Sequence, residues 1–303
     1  MNTLIVILGP TGVGKSAISI QLAKHFQSEI ISADSRQFFR ELSIGTAVPS
    51  PENLKTVPHH FIHTKSIFDY YNVSTFETEA LQLINQLFET NNPLILTGGS
   101  MLYVDTICKG IDDIPTVDPL IRDEVINWYE KNGIEALRQR LLEIDPEYYQ
   151  IVDLNNSKRL LHAVEIFQMT GNPFTSFRKN TIKERPFHIL KIGINLDRTT
   201  LYKRINERVE QMVDAGLIEE AKAVYPHRKL NSLNTVGYKE MFSYLEGECS
   251  LVEAVDLIQR NTRKYARKQL TWFRRDPEIR WFEPDQFQEI ISYIDQKMKF
   301  EVV

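Results

Sequence analysis

Leu4-Ile5-Val6-Ile7-Leu8 is an unbroken apolar run with the length of one buried strand. Two similar runs follow within the first hundred residues, Glu29-Ile30-Ile31-Ser32-Ala33 and Pro93-Leu94-Ile95-Leu96-Thr97. Each ends in a polar or glycine-rich turn: at Gly9, at Asp34-Ser35 and at Gly98-Gly99-Ser100. Between the second and third runs, residues 74–91 carry Phe76, Ala80, Leu83, Ile84, Leu87 and Phe88 at helical spacing. Strands alternating with helices predict an α/β fold, a parallel sheet flanked by helices. Ligands of such sheets gather outside the carboxyl ends of the strands. Asp34, Ser35 and Ser100 are therefore expected near Gly9, although they are distant in sequence.

After Gly110 the pattern changes. Asp118-Pro119 opens a helix-rich stretch punctuated by Pro115, Gly133, Pro146, Gly171 and Pro173. The next strand signal is His188-Ile189-Leu190-Lys191-Ile192-Gly193-Ile194, and helical patterns follow at 199–216 and 251–275. The expected organisation is a core of 1–113 and 187–303, interrupted by a helical insertion, 114–186, over the edge of the site.

Composition narrows this picture only a little. The 303 residues are 42% apolar and 25% charged, an ordinary globular balance. The net charge of −4 means that any nucleic-acid site must be a local patch. Cys108 and Cys249 lie far apart, with no metal-like spacing and no disulfide framework. There is no signal-peptide pattern and no apolar run of membrane-spanning length, so a cytoplasmic protein without a membrane partner is expected.

Gly9-Pro10-Thr11-Gly12-Val13-Gly14-Lys15-Ser16 matches G-x-x-x-x-G-K-[ST], the phosphate-cradling P-loop. It lies between a strand signal and Ala17–Ala23, an amphipathic helical pattern, which is the context the motif needs. Its glycines let backbone N–H groups converge, and the helix start adds partial positive charge. Lys15 adds a point charge, and the Ser16 hydroxyl suits Mg²⁺. Asp34, at the next strand end, has two functional readings, metal holder or proton acceptor. A turn or helix-capping Asp is the plainer alternative. The third strand end, Gly98-Gly99-Ser100, carries no carboxylate, although many P-loop enzymes place one there. Phosphate grips plus a single acid suit attack on a phosphate-bearing substrate better than a motor or switch. The glycine pair could equally be a tight turn with close backbone packing.

Arg204 and Arg208 share a helix face and could hold phosphate or simply face solvent. Residues 257–275 contain no acid, and Arg260, Lys264, Arg267 and Lys268 form a ridge at helical spacing. Tyr265, Leu270, Trp272 and Phe273 are expected on the packing side. Such a ridge suggests contact with a phosphate backbone, or else a solvated face paired with distant acids. Smaller basic clusters occur at Lys158-Arg159 and Arg178-Lys179. The pair His59-His60 reads as structural.

Together these stretches mark a family. GPTGVGKS (9–16), ISADSRQFF (31–39), IGTAVP (44–49), PHHFI (58–62), LTGGSMLYV (96–104), SKRLLHAVEIF (157–167), RINERVEQM (204–212), VGYKEM (236–241) and RKYARKQLTWFR (263–274) occur in family order. The chain resembles the bacterial tRNA dimethylallyltransferases, also called tRNA isopentenyltransferases, over nearly its whole length. The resemblance implies a P-loop NTPase-like core. It also implies transfer of a dimethylallyl group from its diphosphate to the exocyclic amine of the adenosine 3′ to the anticodon. By that resemblance the P-loop holds the diphosphate, with Lys15 and Arg208 neutralising charge and Ser16 on Mg²⁺. Asp34 takes the proton from the adenine amine, with Ser100 positioning that base. The resemblance places tRNA contacts at Asp34, Ser35, Arg36, Gln37, Ser100, Arg122, Lys158, Arg159, Leu160, Leu161 and His162. It adds Thr235, Val236, Gly237, Tyr238, Lys239 and Glu240, and the expected form is a monomer. Three stretches depart from the family pattern. Ser100 replaces Thr, Val48 replaces a lysine, and His162-Ala163-Val164-Glu165 replaces an Arg-Ala-Leu-Glu stretch. The residues alone also admit a small-molecule P-loop kinase, or an isopentenyltransferase acting on free adenine nucleotides.

Overall fold

The computed structural model describes residues 1–300. The chain divides into two compact units, Met1–Lys109 with the chain from Arg185 onward, and Gly110–Glu184. The helical unit thus begins and ends slightly before the expected 114–186. The last three residues of the expected 187–303 segment lie outside the described residues.

The larger unit is built on one sheet. Its strands are β1 (Thr3–Leu8), β2 (Ile30–Ser32), β3 (His59–His60), β4 (Leu94–Thr97), β5 (His188–Ile194) and β6 (Arg280–Phe282). Their order is β3-β2-β4-β1-β5-β6, and every neighbouring pair is parallel. Successive side chains of a strand point to opposite faces. Leu4, Val6 and Leu8 accordingly join one apolar cluster and Ile5 and Ile7 another. Burial on both faces is why β1 reads as a continuous apolar run instead of an alternating one.

β3 and β6 left no such signal. β3 is two half-buried histidines at the sheet edge. His60 Nε2 lies 2.6 Å from Glu29 Oε2 and His59 Nδ1 lies 2.8 Å from Val57 O. β6 has three residues, of which only Phe282 is buried.

Four helices precede the helical unit: α1 (Lys15–His25), α2 (Pro51–Thr56), α3 (Val73–Leu87) and α4 (Met101–Lys109). The helical unit contains α5 (Pro119–Ile144), α6 (Pro146–Ile151) and α7 (Ser157–Thr170). Afterwards come α8 (Arg198–Asp214), α9 (Leu217–Val224), α10 (Tyr238–Leu245), α11 (Leu251–Phe273) and α12 (Phe287–Phe300). The expected helices at 74–91, 199–216 and 251–275 each end two to four residues early, the usual uncertainty of helix ends. Local chemistry sets the starts. Asp197 accepts from Thr199 N and Thr200 N at the head of α8. Ser250 and Glu253 form a reciprocal capping box at the head of α11.

In the helical unit, Asp118 accepts from Leu120 N and Pro119 opens α5, which breaks at Gly133 (φ +77°). Leu137, Leu141, Leu160 and Ile166 form its core. Buried Asp145 accepts from Tyr148 N, Thr175 N and Thr175 Oγ1, tying α6 to the turn that follows α7.

Candidate active site

Because β1, β2 and β4 are parallel neighbours, their carboxyl ends meet at one edge of the sheet. The P-loop, the Asp34 turn and the Gly98-Gly99-Ser100 turn line one cavity there. Lys15 and Ser16 open α1 beneath the loop. Lys15 Nζ donates to Pro10 O (2.9 Å). Burial of that ammonium, helped by the nearby Arg208 charge and opposed by Asp34, lowers its pKa to about 7. Arg208 reaches in from α8, its Nη1 donating to Thr11 Oγ1 (3.3 Å). Burial also lowers the Arg208 pKa, with Asp34 opposing. The two arginines divide. Arg208 lines the cavity, while exposed Arg204 donates Nη1 to Val13 O (3.3 Å) on the loop.

Asp34 is both a turn residue and a cavity residue. Its Oδ1 accepts from Arg36 N (2.9 Å) and Gln37 N (3.4 Å), an Asx turn. Oδ2 accepts no hydrogen bond among the described residues. Ser100 Oγ accepts from Ser35 N (2.8 Å) and donates to Ser35 Oγ (3.1 Å). The hydroxyl expected to meet substrate thus holds the Asp34 turn in place. Gln37 is likewise committed, accepting from Ser32 Oγ and donating to Thr46 O and Ala47 O. Arg36 donates to Ser35 O, and burial lowers its pKa.

The glycine pair is explained by close packing. A Cβ on Gly98 would stand 2.3 Å from Ala33 O, and one on Gly99 2.5 Å from Gln269 Nε2. Gln269, on α11, is 1% exposed. Its Oε1 accepts from Thr11 N (2.8 Å) and its Nε2 donates to Gly99 O (2.7 Å). Sequence reasoning missed this residue. The available signal was an uncharged face, Ile258, Thr262, Tyr265 and Gln269, on a helix otherwise rich in cations. All four line the cavity. Tyr265 is therefore not on the packing side as expected. A third of it meets solvent, but its hydroxyl approaches Gly99 O (3.4 Å) and burial there pushes its pKa up to about 12.

Ile205, Val209 and Met212 on α8, with Val236 and Ile258, give the cavity an apolar wall. The positions 205, 209 and 212 fall on one helix face. Among the described residues no group of three or more His, Cys, Asp or Glu could hold a metal ion. Ser16 and Asp34 nevertheless both line the cavity. Mg²⁺ commonly takes one or two protein oxygens, its remaining positions being filled by water and substrate phosphate. The residues present fit that limited demand.

Several expected tRNA contacts need correction. Tyr238 is fully buried and donates to Glu220 Oε1 (2.5 Å). Its ring packs against Gly45, where a Cβ would stand 2.7 Å from it. Glu220 also accepts from Ser43 N, Ile44 N and Gly45 N, so this pair fixes the 43–47 loop. Glu240 is spent inside the protein, accepting from Gly237 N and Asn261 Nδ2. Lys239 is exposed, and Thr235, Val236 and the buried Gly237 line the cavity. In the helical unit, Leu160 is fully buried in the core and Leu161 packs against it. Buried Glu165 lies 3.6 Å from Arg122 Nε and 3.5 Å from His162 Nδ1. Lys158 and Arg159 remain exposed.

A parallel sheet with this loop after its first strand, and a cationic pole facing an apolar wall, defines a P-loop α/β protein. Its cavity suits a phosphate ester with an apolar tail. The family model for IPP transferase matches residues 37–276. Arg208, Tyr238 and the basic helix α11 lie inside that span, and the chain belongs to the IPP transferase, or tRNA dimethylallyltransferase, family. It is 57% identical to tRNA dimethylallyltransferase 1 of Bacteroides fragilis, covering 98% of this chain and 99% of that one. The corresponding protein of Bacteroides thetaiotaomicron is 55% identical, over 97% and 96%. The full-length tRNA isopentenylpyrophosphate transferase of Bacillus halodurans superposes with a TM-score of 0.72 at 36% identity, covering 100% of both chains. No described helix is long and apolar enough to cross a membrane.

Proposed function

We propose that the protein transfers a dimethylallyl group from dimethylallyl diphosphate to the exocyclic amine of the adenosine 3′-adjacent to the anticodon of tRNA. The observation that carries this reading is the meeting of Lys15, Arg208, Asp34 and the apolar wall in one cavity. The diphosphate would sit on the P-loop amides, and the five-carbon tail against Ile205, Val209 and Met212. The adenine nitrogen forms a bond to C1 of the donor as the C1–O bond breaks. The bonding pair leaves with diphosphate, and the amine proton passes to the Asp34 carboxylate. Lys15 and Arg208 are placed to stabilise the charge that grows on the leaving group. Mg²⁺, held by the Ser16 hydroxyl, would supply further positive charge there.

The acceptor base must leave the anticodon-loop stack to enter such a cavity. Exposed Lys158 and Arg159, and the exposed ridge of Arg260, Lys264, Arg267 and Lys268, suit phosphate-backbone contact. Incubation with dimethylallyl diphosphate and unmodified tRNA, followed by nucleoside mass spectrometry, tests the reading. Prenylated adenosine from tRNA supports it. Its absence, with ATP consumed in the presence of a small acceptor, would instead identify a kinase.

A further inference from the structure

Two halves of the site are joined by one side chain. On the donor half, Thr11 N–H belongs to the P-loop and Thr11 Oγ1 receives Arg208. On the acceptor half, Gly99 precedes Ser100, whose hydroxyl holds Ser35 beside Asp34. Gln269 bonds to both halves, 2.8 Å to Thr11 N and 2.7 Å to Gly99 O. Its primary amide is matched to this task, because a single planar group carries an accepting oxygen and a donating NH2. The Gln269 side chain is itself shielded from bulk solvent, and Gly99 has no side chain that would displace the amide.

We propose that Gln269 is a positioning residue that sets the spacing between the diphosphate grip and the Asp34 turn. This rests on the prenyl-transfer reading for its effect on rate, but the bracket itself exists without it. Transfer needs the leaving oxygen, C1 and the attacking nitrogen in line, and small displacements of such an array cost orders of magnitude. Gln269 touches neither reacting atom in this account; it acts through Thr11 and Gly99.

The test compares wild type, Gln269→Leu and Gln269→Glu. Gln269→Leu removes both bonds. Gln269→Glu keeps an acceptor for Thr11 N–H but donates to Gly99 O only when its carboxyl is protonated. For Gln269→Leu, kcat is expected to fall on the order of 10- to 100-fold, with the KM for tRNA within about twofold of wild type. The Thr11 amide should exchange with solvent faster, and calorimetry with inorganic diphosphate should show weaker binding. For Gln269→Glu, the ratio of its kcat to that of wild type should rise as pH falls. A purely structural role would not produce that profile. Wild-type kcat, Thr11 exchange and diphosphate affinity all retained in Gln269→Leu would overturn the proposal, as would a pH-independent ratio for Gln269→Glu. Should Gln269→Leu fail to fold, the Gln269→Glu ratio and its Thr11 exchange decide. Should wild type itself prenylate no tRNA, the functional reading fails, while Thr11 exchange and diphosphate affinity still decide the bracket.

Discussion

Asp34 divides its work between two oxygens. Oδ1 closes the turn, and Oδ2 is left for the cavity. Asp34→Asn keeps an oxygen able to accept from Arg36 N but loses the base. It is expected to fold normally, retain tRNA affinity and lose about 10²- to 10⁴-fold in kcat. Retained turnover would remove Asp34 as the proton acceptor. Lys15 carries a pH signature. With its pKa lowered to about 7, it is mostly neutral in the free protein above that pH. A bound diphosphate favours the charged form, so binding at pH 8 should take up a proton, and affinity should weaken as pH rises above about 7. Calorimetry in buffers of different ionisation enthalpy measures this uptake. The part due to Lys15 should vanish in Lys15→Met; identical proton uptake in both proteins would contradict it. The same shift has a stability sign. Between about pH 7 and the ordinary lysine value, the unfolded chain binds this proton more tightly, so the Lys15 contribution to stability grows as pH rises through that window.

At the scale of elements, the sequence was most legible where physics leaves a local trace. β1, β2, β4 and β5 announce themselves as apolar runs, and the P-loop as glycines before a lysine on a helix start. Asp34 was found because it ends a strand. β3 and β6 are too short to carry a pattern. Gln269 was not legible, because its two partners lie 258 and 170 residues away. Tyr238, Glu240 and Leu160 were misread for a different reason. A motif match marks a position without saying whether its side chain faces ligand or core. Leu160→Ala should therefore lower stability by about 2–5 kcal/mol, as deletion of a packed core side chain does. A thermal or denaturant melt of the full chain measures this, and a variant as stable as wild type with weaker tRNA binding would restore Leu160 as a contact. Helix α8 carries a second expectation. Ile205 lies beside Gly12 at the phosphate end, and Met212 is two turns farther on, about 10 Å along the axis. Met212→Ala is expected to improve use of geranyl diphosphate relative to dimethylallyl diphosphate. An unchanged preference would place the tail elsewhere.

At the scale of the whole molecule, a net charge of −4 means that nucleic-acid contact must come from local cationic patches. Lys158 and Arg159 lie on the helical unit, and the α11 ridge lies on the core. Affinity for tRNA should fall steeply with salt, and Lys158→Ala or Arg267→Ala should each reduce the salt slope by about one. Binding that is flat from low to high salt would sink that claim. The central claim is that the P-loop holds the diphosphate leaving group of a prenyl donor attacked by a tRNA base, not a nucleotide. Its most direct test is one reaction containing radiolabelled dimethylallyl diphosphate with equal concentrations of unmodified tRNA, AMP and ATP. The account predicts label on tRNA alone and intact ATP; label on AMP to the same extent, or hydrolysis of ATP with none on tRNA, would contradict it.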